Sequence, residues 1–525
     1  MKLNIKFRKE SGVMLSTTYS MSLNGLNGYL VKVEVDINLG MPSWEIVGLP
    51  DVSVRESKER VRTAIKNSGY DFKSKKIVIN LAPAYTKKEG SSFDLPIAVG
   101  MLENAGIINF EKISEYVFIG ELSLDGNLNR VNGVLPMCIE AYKLGIKKVI
   151  VPFENRFEAG VVKGLEVYPA AKLTEVVEHL NGTNVIENFI VDTDNLFSNV
   201  PYDNIDFSDV MGQENVKRAL EIVAAGAHNC LLIGSPGSGK TMLSKRLTTI
   251  LPDLTFEEAL EVTKIHSIAG TLPGDKPLIT TRPFRSPHHT TSGIALTGGG
   301  RIPKPGEMSL AHYGVLFLDE LPEFDRRALE VMRGPLEDKE VTISRMNCTL
   351  TYPCNFIFVA SMNPCPCGYA TDIKKKCTCS PNEISKYMKK ISGPILDRID
   401  LHIEVSSVEY EKLIDNNKKN ETSAMIRERV NKAKKIQAER YKDYKIFSNS
   451  DLTPAMINKF CKLDSDSKRI LQMAFDKFGF TARTYTRILK VARTIADLEE
   501  CEKIKTEHVA EAIQYRSLDR KWWDN

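Results

Sequence analysis

Residues Gly234, Ser235, Pro236, Gly237, Ser238, Gly239, Lys240 and Thr241 follow directly on the apolar run Cys230–Ile233. Residues of these types at this spacing make a grip for polyphosphate. The glycines let the backbone curl until its N–H groups point inward. Lys240 brings a mobile positive charge to the outer phosphates, and Thr241 offers a hydroxyl to Mg²⁺. A helix opening near Gly239 adds the positive end of its dipole. A chance glycine-rich turn is the alternative, and the full GxxxxGK[ST] spacing between strand and helix argues against it. The pattern implies binding of a nucleoside triphosphate.

A second segment bears on what becomes of the nucleotide. Gly314–Glu320 reads as an apolar strand ending in two carboxylates. A run this apolar suits a central strand of a parallel sheet covered on both faces. At its C-terminal end Asp319 is placed to hold Mg²⁺ through water, and Glu320 to polarise the attacking water as general base. An acidic helix start after a buried strand is the alternative. Beside the phosphate loop, hydrolysis is the stronger reading.

These groups need a sheet to position them. The nucleotide-binding core is expected from about Asp209 to Val405, with strands before the phosphate loop and at 314–319, 355–361 and 399–405. Strands alternating with helical or loop segments mark a parallel sheet with right-handed crossovers. Asn363 would then stand level with Asp319 and Glu320 and could align the lytic water. Arg398, ahead of the last strand, is a candidate arginine finger reaching a neighbour's γ-phosphate. Arg483, beginning the last long helix, could reach back to the nucleotide. For each of the three a solvated or helix-pairing side chain remains the alternative.

The first ~175 residues read as a separate α/β unit. Val31, Val33, Val35 and Ile37 alternate with charged residues as a half-buried strand, and Ser53–Ser68 has helical period with Val54, Val61, Ala64 and Ile65 on one face. Strands are expected at Lys76–Ala82 and Lys147–Pro152. Residues 181–207, rich in Asn and Asp, read as a linker. A charged helical stretch, 408–445, precedes a helical C-terminal unit. There Ser467–Phe478 and Thr481–Glu499 form two helices separated by Gly479.

Composition excludes other classes. At 525 residues the chain should hold about three domains. Its 42% hydrophobic and 26% charged content is that of a globular protein, and a net charge of +4 does not by itself imply a polyanionic partner. No stretch approaches the roughly twenty apolar residues of a membrane span, and the first residues lack the apolar core of a secretory signal. A cytoplasmic location and no membrane partner are expected. Ten cysteines there argue for thiols or metal.

The order SPGSGKT, RPFRSPHHTTS, LFLDELPEF, RGPLEDKEVTISR, SMNPCPCGY, SGPILDRIDLHIEV and ARTYTRILKVARTIADLE resembles the YifB/ComM family of magnesium-chelatase-like AAA+ ATPases over essentially the whole chain. The resemblance implies an α/β fold: an AAA+ P-loop core over 208–406 with a helical lid over 407–525. It implies ATP and Mg²⁺ as cofactors. By that likeness Gly234 to Thr241 form Walker A, Asp319 and Glu320 Walker B, and Asn363 sensor 1. Arg398 matches the arginine finger, and the lid arginine falls at Arg483, with Arg487 the competing choice. Val341–Tyr352 resembles a hairpin that projects toward the pore of related rings, making Arg345 a candidate pore contact. The region 281–300, with Arg285, His288 and His289, resembles the helix-2 insert of the same clade. The two histidines read as polar loop contacts in preference to metal ligands.

Residues 1–180 resemble the α+β proteolytic domain of the Lon family, through Asp94-Leu95-Pro96-Ile97-Ala98 and Gly120–Ala141. Where those peptidases carry a nucleophilic serine this chain has Ile97, and in place of the lysine base it has Leu135. Neither can supply a hydroxyl or accept its proton, so peptidase activity is not expected. Cys365, Cys367, Cys377 and Cys379 give a CxC pair followed by another within fifteen residues, just after Asn363. Four thiolates suit tetrahedral Zn²⁺, although the CxC gap is tighter than the usual CxxC, and four reduced thiols are the alternative. Lys374, Lys375 and Lys376 between the pairs would offset thiolate charge or face a phosphate backbone.

The family implies a homo-oligomer, a hexameric ring that encircles DNA and drives branch migration. Lys374–Lys376, Arg345 and the basic face of 427–445 are the sequence's own support, a solvated helix face being the alternative for the last. Two rivals are a magnesium-chelatase-like subunit acting on a porphyrin and a protein-remodelling ATPase.

Overall fold

The computed structural model describes residues 15–38, 40–70, 76–193, 195–197, 205–301, 303–345, 348–372, 375–406 and 420–517. They fall into two compact units, one of 1–199 with 263–279 and one of 200–262 with 280–525.

In the first unit the valine alternation becomes β2 (Asn27–Asn38), paired antiparallel with β1 (Leu15–Asn24). With β3 (Ser43–Val47), β4 (Lys76–Ala82), β5 (Tyr116–Phe118), β6 (Lys148–Pro152) and β7 (Glu166–Ala170) it makes one mixed sheet in the order β3-β4-β2-β1-β5-β6-β7. Val31, Val33 and Val35 are fully buried, and α1 (Val52–Asn67) lays Val54, Val61, Ala64 and Ile65 into the same core. Ile97 in α2 (Asp94–Asn104) and Leu135 in α3 (Val134–Lys143) are both fully buried. These two side chains pack the core, and neither offers chemistry.

The expected linker begins inside this unit. After the helix α4 (Leu173–Asn181), the Phe189 N–H donates to the Val167 carbonyl and its ring meets Phe157 edge-on. Residues 263–279, expected within the nucleotide-binding core, also pack here. Ser267 Oγ donates to the buried Glu158 carboxylate at 2.7 Å, and Arg130 donates to the Leu272 carbonyl at 2.6 Å. Such long-range polar bonds leave no trace in local periodicity.

Asp94, fully buried at the start of α2, is held by Arg60 through two hydrogen bonds at 2.8 and 3.1 Å. Burial pushes its carboxyl up to about 6 even against that partner. Removing the guanidinium would strand a buried charge, a loss of about 3–5 kcal/mol. Arg60→Ala should therefore speed amide hydrogen exchange across Asp94–Asn104. Unchanged protection there would show that the pair contributes nothing.

The second unit is built on five parallel strands: β8 (Cys230–Gly234), β9 (Phe284–Arg285), β10 (Val315–Leu318), β11 (Ile357–Met362) and β12 (Leu401–Val405). Their order is β9-β10-β11-β8-β12, so the strand feeding the phosphate loop lies between two later ones. β8, β10 and β11 are buried along their whole length, the run of apolar residues that a sheet covered on both faces requires. An antiparallel hairpin, Glu340–Arg345 with Cys348–Pro353, precedes β11.

Among the described residues five α-helices follow β12, the three longest being α5 (Ser423–Arg440), α6 (Ser465–Phe478) and α7 (Ala482–Leu498). Gly479 ends α6 with a φ of 67°, the left-handed cap its position implied. Ile488, Leu489, Val491, Ala492 and Ile495 are buried on α7. Among the described residues no helix is long and apolar enough to cross a membrane.

Candidate nucleotide-hydrolysis site

Parallel strands send the loops at their C-terminal ends to one rim of the sheet. On that rim β8 delivers the phosphate loop, β10 delivers Asp319 and Glu320, and β11 delivers Asn363. Together with Ser361 they line one cleft of about 410 Å³. Gly237 and Gly239 have φ of 77° and 88°, a conformation in which any other residue would be strained. The helix Lys240–Ile250 starts immediately after, with its unpaired N–H groups at the loop.

Lys240 Nζ donates to the carbonyls of Gly234 (2.7 Å) and Ser235 (3.0 Å) and to Asn363 Oδ1 (3.3 Å). Burial pushes its ammonium below the usual range, while Asp319 and Glu320 pull the other way. Thr241 Oγ1 donates to Asp319 Oδ2 at 2.7 Å, and Ser361 Oγ donates to Asp319 Oδ1. A hydroxyl and a carboxylate side by side are the hard oxygen donors that Mg²⁺ takes. Those two residues fit the ion.

Glu320 has a left-handed backbone, φ 56°, and its N–H groups with Asp319 Oδ1 and Ser361 Oγ at 3.2 and 3.4 Å. Its carboxylate stays more than half exposed toward the cleft. His289 Nδ1 stands 3.9 Å from Glu320 Oε2, and its ring lies against that of His288. The histidines do make loop contacts, His288 with Thr290 at 2.9 Å, yet one of them faces the expected general base. Spacing in the sequence does not single out Ser361 or His289 for the site, since their roles depend on which loops the sheet brings together. Arg285 is spent on a bidentate pair with Glu307, both bonds 2.7 Å.

Arg398 lies on the other rim. β12 pairs Leu401 with Cys230 and Val405 with Gly234, so the residues before Leu401 sit at the end of the sheet away from the phosphate loop. Five strand residues separate the two rims by about 16 Å. There Arg398 donates to the carbonyls of Arg333 (2.9 Å) and Pro394 (2.6 Å) and pairs with Glu337 at 2.7 Å.

Arg483 is on this rim too, 67% exposed and paired with Asp397 at 2.9 Å. The expectation that it reaches back to its own nucleotide is not met, because α7 packs beside the start of β12. Arg487, one turn on, pairs with Asp400, which also accepts from the Asn229 N–H at 3.0 Å. Burial opposes charge on Asp400, but Arg487 and His228 hold its carboxyl well below the usual range. Arg487 is thus committed to the core, and Arg483 is the exposed one of the two.

The four cysteine sulfurs lie within 4.8 Å of one another. Cys365 Sγ is 3.3 Å from Cys367 Sγ and 3.6 Å from Cys377 Sγ, and the Cys367 N–H points at Cys379 Sγ at 3.4 Å. All four are free thiols. Backbone N–H groups of Tyr369 and Thr378 bring the Cys367 thiol down to about 5. Burial pushes Cys365 up to about 12.

The candidate DNA contacts fare unequally. Arg345 is exposed on its hairpin. Lys374 lies outside the described residues; Lys376 is exposed, and Lys375 covers the Tyr369 ring. The basic face of 427–445 is partly paired within the chain. Arg427 pairs with Asp253, Arg429 with Glu221 and Glu421, and Arg440 with Asp497. Lys435, Lys442 and Lys445 of the same stretch are exposed.

Comparison with known proteins agrees with this geometry. Residues 206–413 match the family model described as magnesium chelatase, subunit ChlI, and 420–516 match its C-terminal counterpart. Residues 33–155 match a third, described as subunit ChlI of Mg-chelatase. The chain is 43% identical over 506 residues to the uncharacterized protein YifB of Escherichia coli, covering 96% of this chain and 98% of that one. It is 42% identical over 513 residues to the competence protein ComM of Haemophilus influenzae, with the same shares of the two chains. The magnesium-chelatase 38 kDa subunit of Rhodobacter capsulatus is 24% identical over 176 residues, 30% of this chain and 50% of that subunit.

Proposed function

The chain belongs to the YifB/ComM family of magnesium-chelatase-like AAA+ ATPases, and from that premise we propose that it is a ring-forming motor that spends ATP to move branched DNA. The observation that carries the ring is the division of the site between rims. Phosphate loop, Asp319, Glu320 and Asn363 share one edge of the sheet, while Arg398 lies about 16 Å away on the other. An arginine so placed cannot serve its own nucleotide. It serves a neighbour's when protomers stack head to tail, and such stacking closes into a ring, a hexamer in the family's manner.

In the proposed mechanism Lys240 and the loop N–H groups hold the β- and γ-phosphates. Thr241 and Asp319 would hold Mg²⁺, which would supply positive charge against the negative charge that develops during transfer. Asn363, 3.3 Å from Lys240, orients the water, and Glu320 takes its proton. The neighbour's Arg398 leaves Glu337 and meets the γ-phosphate. Arg483, exposed on the same rim, is the second cation available to that neighbour.

DNA is the substrate favoured by the full-length likeness to a competence protein and by the exposed Arg345 hairpin. The magnesium-chelatase 38 kDa subunit of Rhodobacter capsulatus is alike over less than a third of this chain and at 24% identity, a weaker support for the chelatase reading than the full-length likeness gives to the DNA reading. The first 180 residues, with Ile97 and Leu135 in the core, serve assembly or substrate capture, not peptide cleavage. A labelled four-way junction incubated with the protein, ATP and Mg²⁺ should be resolved into exchanged arms, and junction DNA should raise ATP turnover. Turnover indifferent to DNA, with no arm exchanged, would remove DNA from the proposal.

A further inference from the structure

We infer that Cys365, Cys367, Cys377 and Cys379 bind one Zn²⁺, and that this ion clasps the loop 365–379 against the phosphate loop. The metal stands on sulfur geometry alone; its effect on turnover rests on the proposed ATP site.

Tetrahedral zinc with Zn–S bonds of about 2.3 Å puts its sulfurs about 3.8 Å apart. Here the Sγ–Sγ distances of 3.3, 3.6 and 3.6 Å among Cys365, Cys367 and Cys377, with all four sulfurs inside 4.8 Å, are already close to that spacing. A cage this small takes a single ion and not a multi-iron cluster. The Cys367 and Cys379 N–H groups point at Sγ atoms of the set at 3.4 Å. Such outer bonds orient ligands and disperse thiolate charge.

The position of the cage gives it a task. Cys365 is two residues beyond Asn363. Gly368, at φ 87°, lies so close to Pro236 of the phosphate loop that an added Cβ would come within 2.6 Å of its ring. After Cys379, Ser380 caps the helix Pro381–Met388, and Tyr387 of that helix lines one cavity with Asn363 and Glu320. One side of the loop therefore braces the phosphate loop, and the other leads into the helix that walls the cavity beside Asn363. Four sulfurs on one ion fix both sides. Without the ion nothing covalent closes the fifteen-residue excursion.

The test uses the full-length protein. Purified without added metal, it should carry one zinc per chain by mass spectrometry of the metal. A mercurial thiol reagent with a chelator should release that zinc, weaken binding of a fluorescent ATP analogue and lower turnover about a hundredfold, the cost of small misplacements at a reacting centre. Dithiothreitol and Zn²⁺ should restore all three. Cys377→Ser with Cys379→Ser should lack zinc, whereas Cys377→His should keep it. Gly368→Ala should keep zinc and still impair turnover, because it presses on Pro236. A protein without zinc, or with iron instead, overturns the site. Stripped protein that binds and hydrolyses ATP at full rate overturns the clasp. Zinc-loaded native protein with no ATPase activity at all sinks the proposed function while the zinc content still supports the site.

Discussion

Glu320→Gln should bind ATP as tightly as the unaltered protein and hydrolyse it about a hundredfold or more slowly. The amide keeps the size of the carboxylate but cannot accept the proton of the attacking water. Nothing that holds the phosphates changes. Lys240 keeps its carbonyl and Asn363 partners, and Thr241 keeps Asp319. The left-handed backbone at Glu320 is as accessible to glutamine as to glutamate, so the fold is not at stake. Equilibrium binding of a fluorescent ATP analogue and single-turnover phosphate release separate the two effects. Turnover near normal would move the general base elsewhere; lost binding would make Glu320 part of the grip and not of the chemistry.

Arg398→Ala is expected to leave nucleotide binding intact and to cut turnover by about a thousandfold, the smaller end of what an arginine finger supplies. The sharper experiment mixes two inactive proteins. Lys240→Ala lacks the grip but keeps Arg398; Arg398→Ala keeps the grip but lacks the finger. At a mixed seam the second protein's phosphate loop faces the first protein's Arg398, so activity should return on mixing. A silent mixture of proteins that still assemble would refute the contribution from a neighbour. Normal hydrolysis by Arg398→Ala alone would return the residue to a structural role, for which its Glu337 pair and its bonds to the Arg333 and Pro394 carbonyls suffice.

Local pattern carried much of this molecule. The phosphate loop and the acidic strand end were readable because their chemistry needs fixed residue types at fixed spacing, next to a strand whose apolar run is itself a signal. Lys76–Ala82 was expected as a strand and is one over those same residues, since alternation with period two tolerates no other structure there. What failed to show was whatever depends on meetings between distant segments. Arg427, Arg429 and Arg440 look free in the sequence because their partners, Asp253, Glu221 and Asp497, lie far away along the chain. Arg483 looked able to return to its own nucleotide because helix periodicity says which face is buried, not which end of the sheet the helix meets. His289 beside Glu320 needed two loops from adjacent strands to converge, and residues 263–279 joined the first unit through bonds that periodicity cannot foretell.

The placement of Arg398 and the phosphate loop at opposite ends of the same strands has a kinetic corollary. In the proposed ring, an isolated protomer would own two incomplete halves, a socket without a plug and a plug without a socket. Specific activity would then climb with protein concentration and collapse on dilution, making abundance in the cell a throttle on fuel consumption.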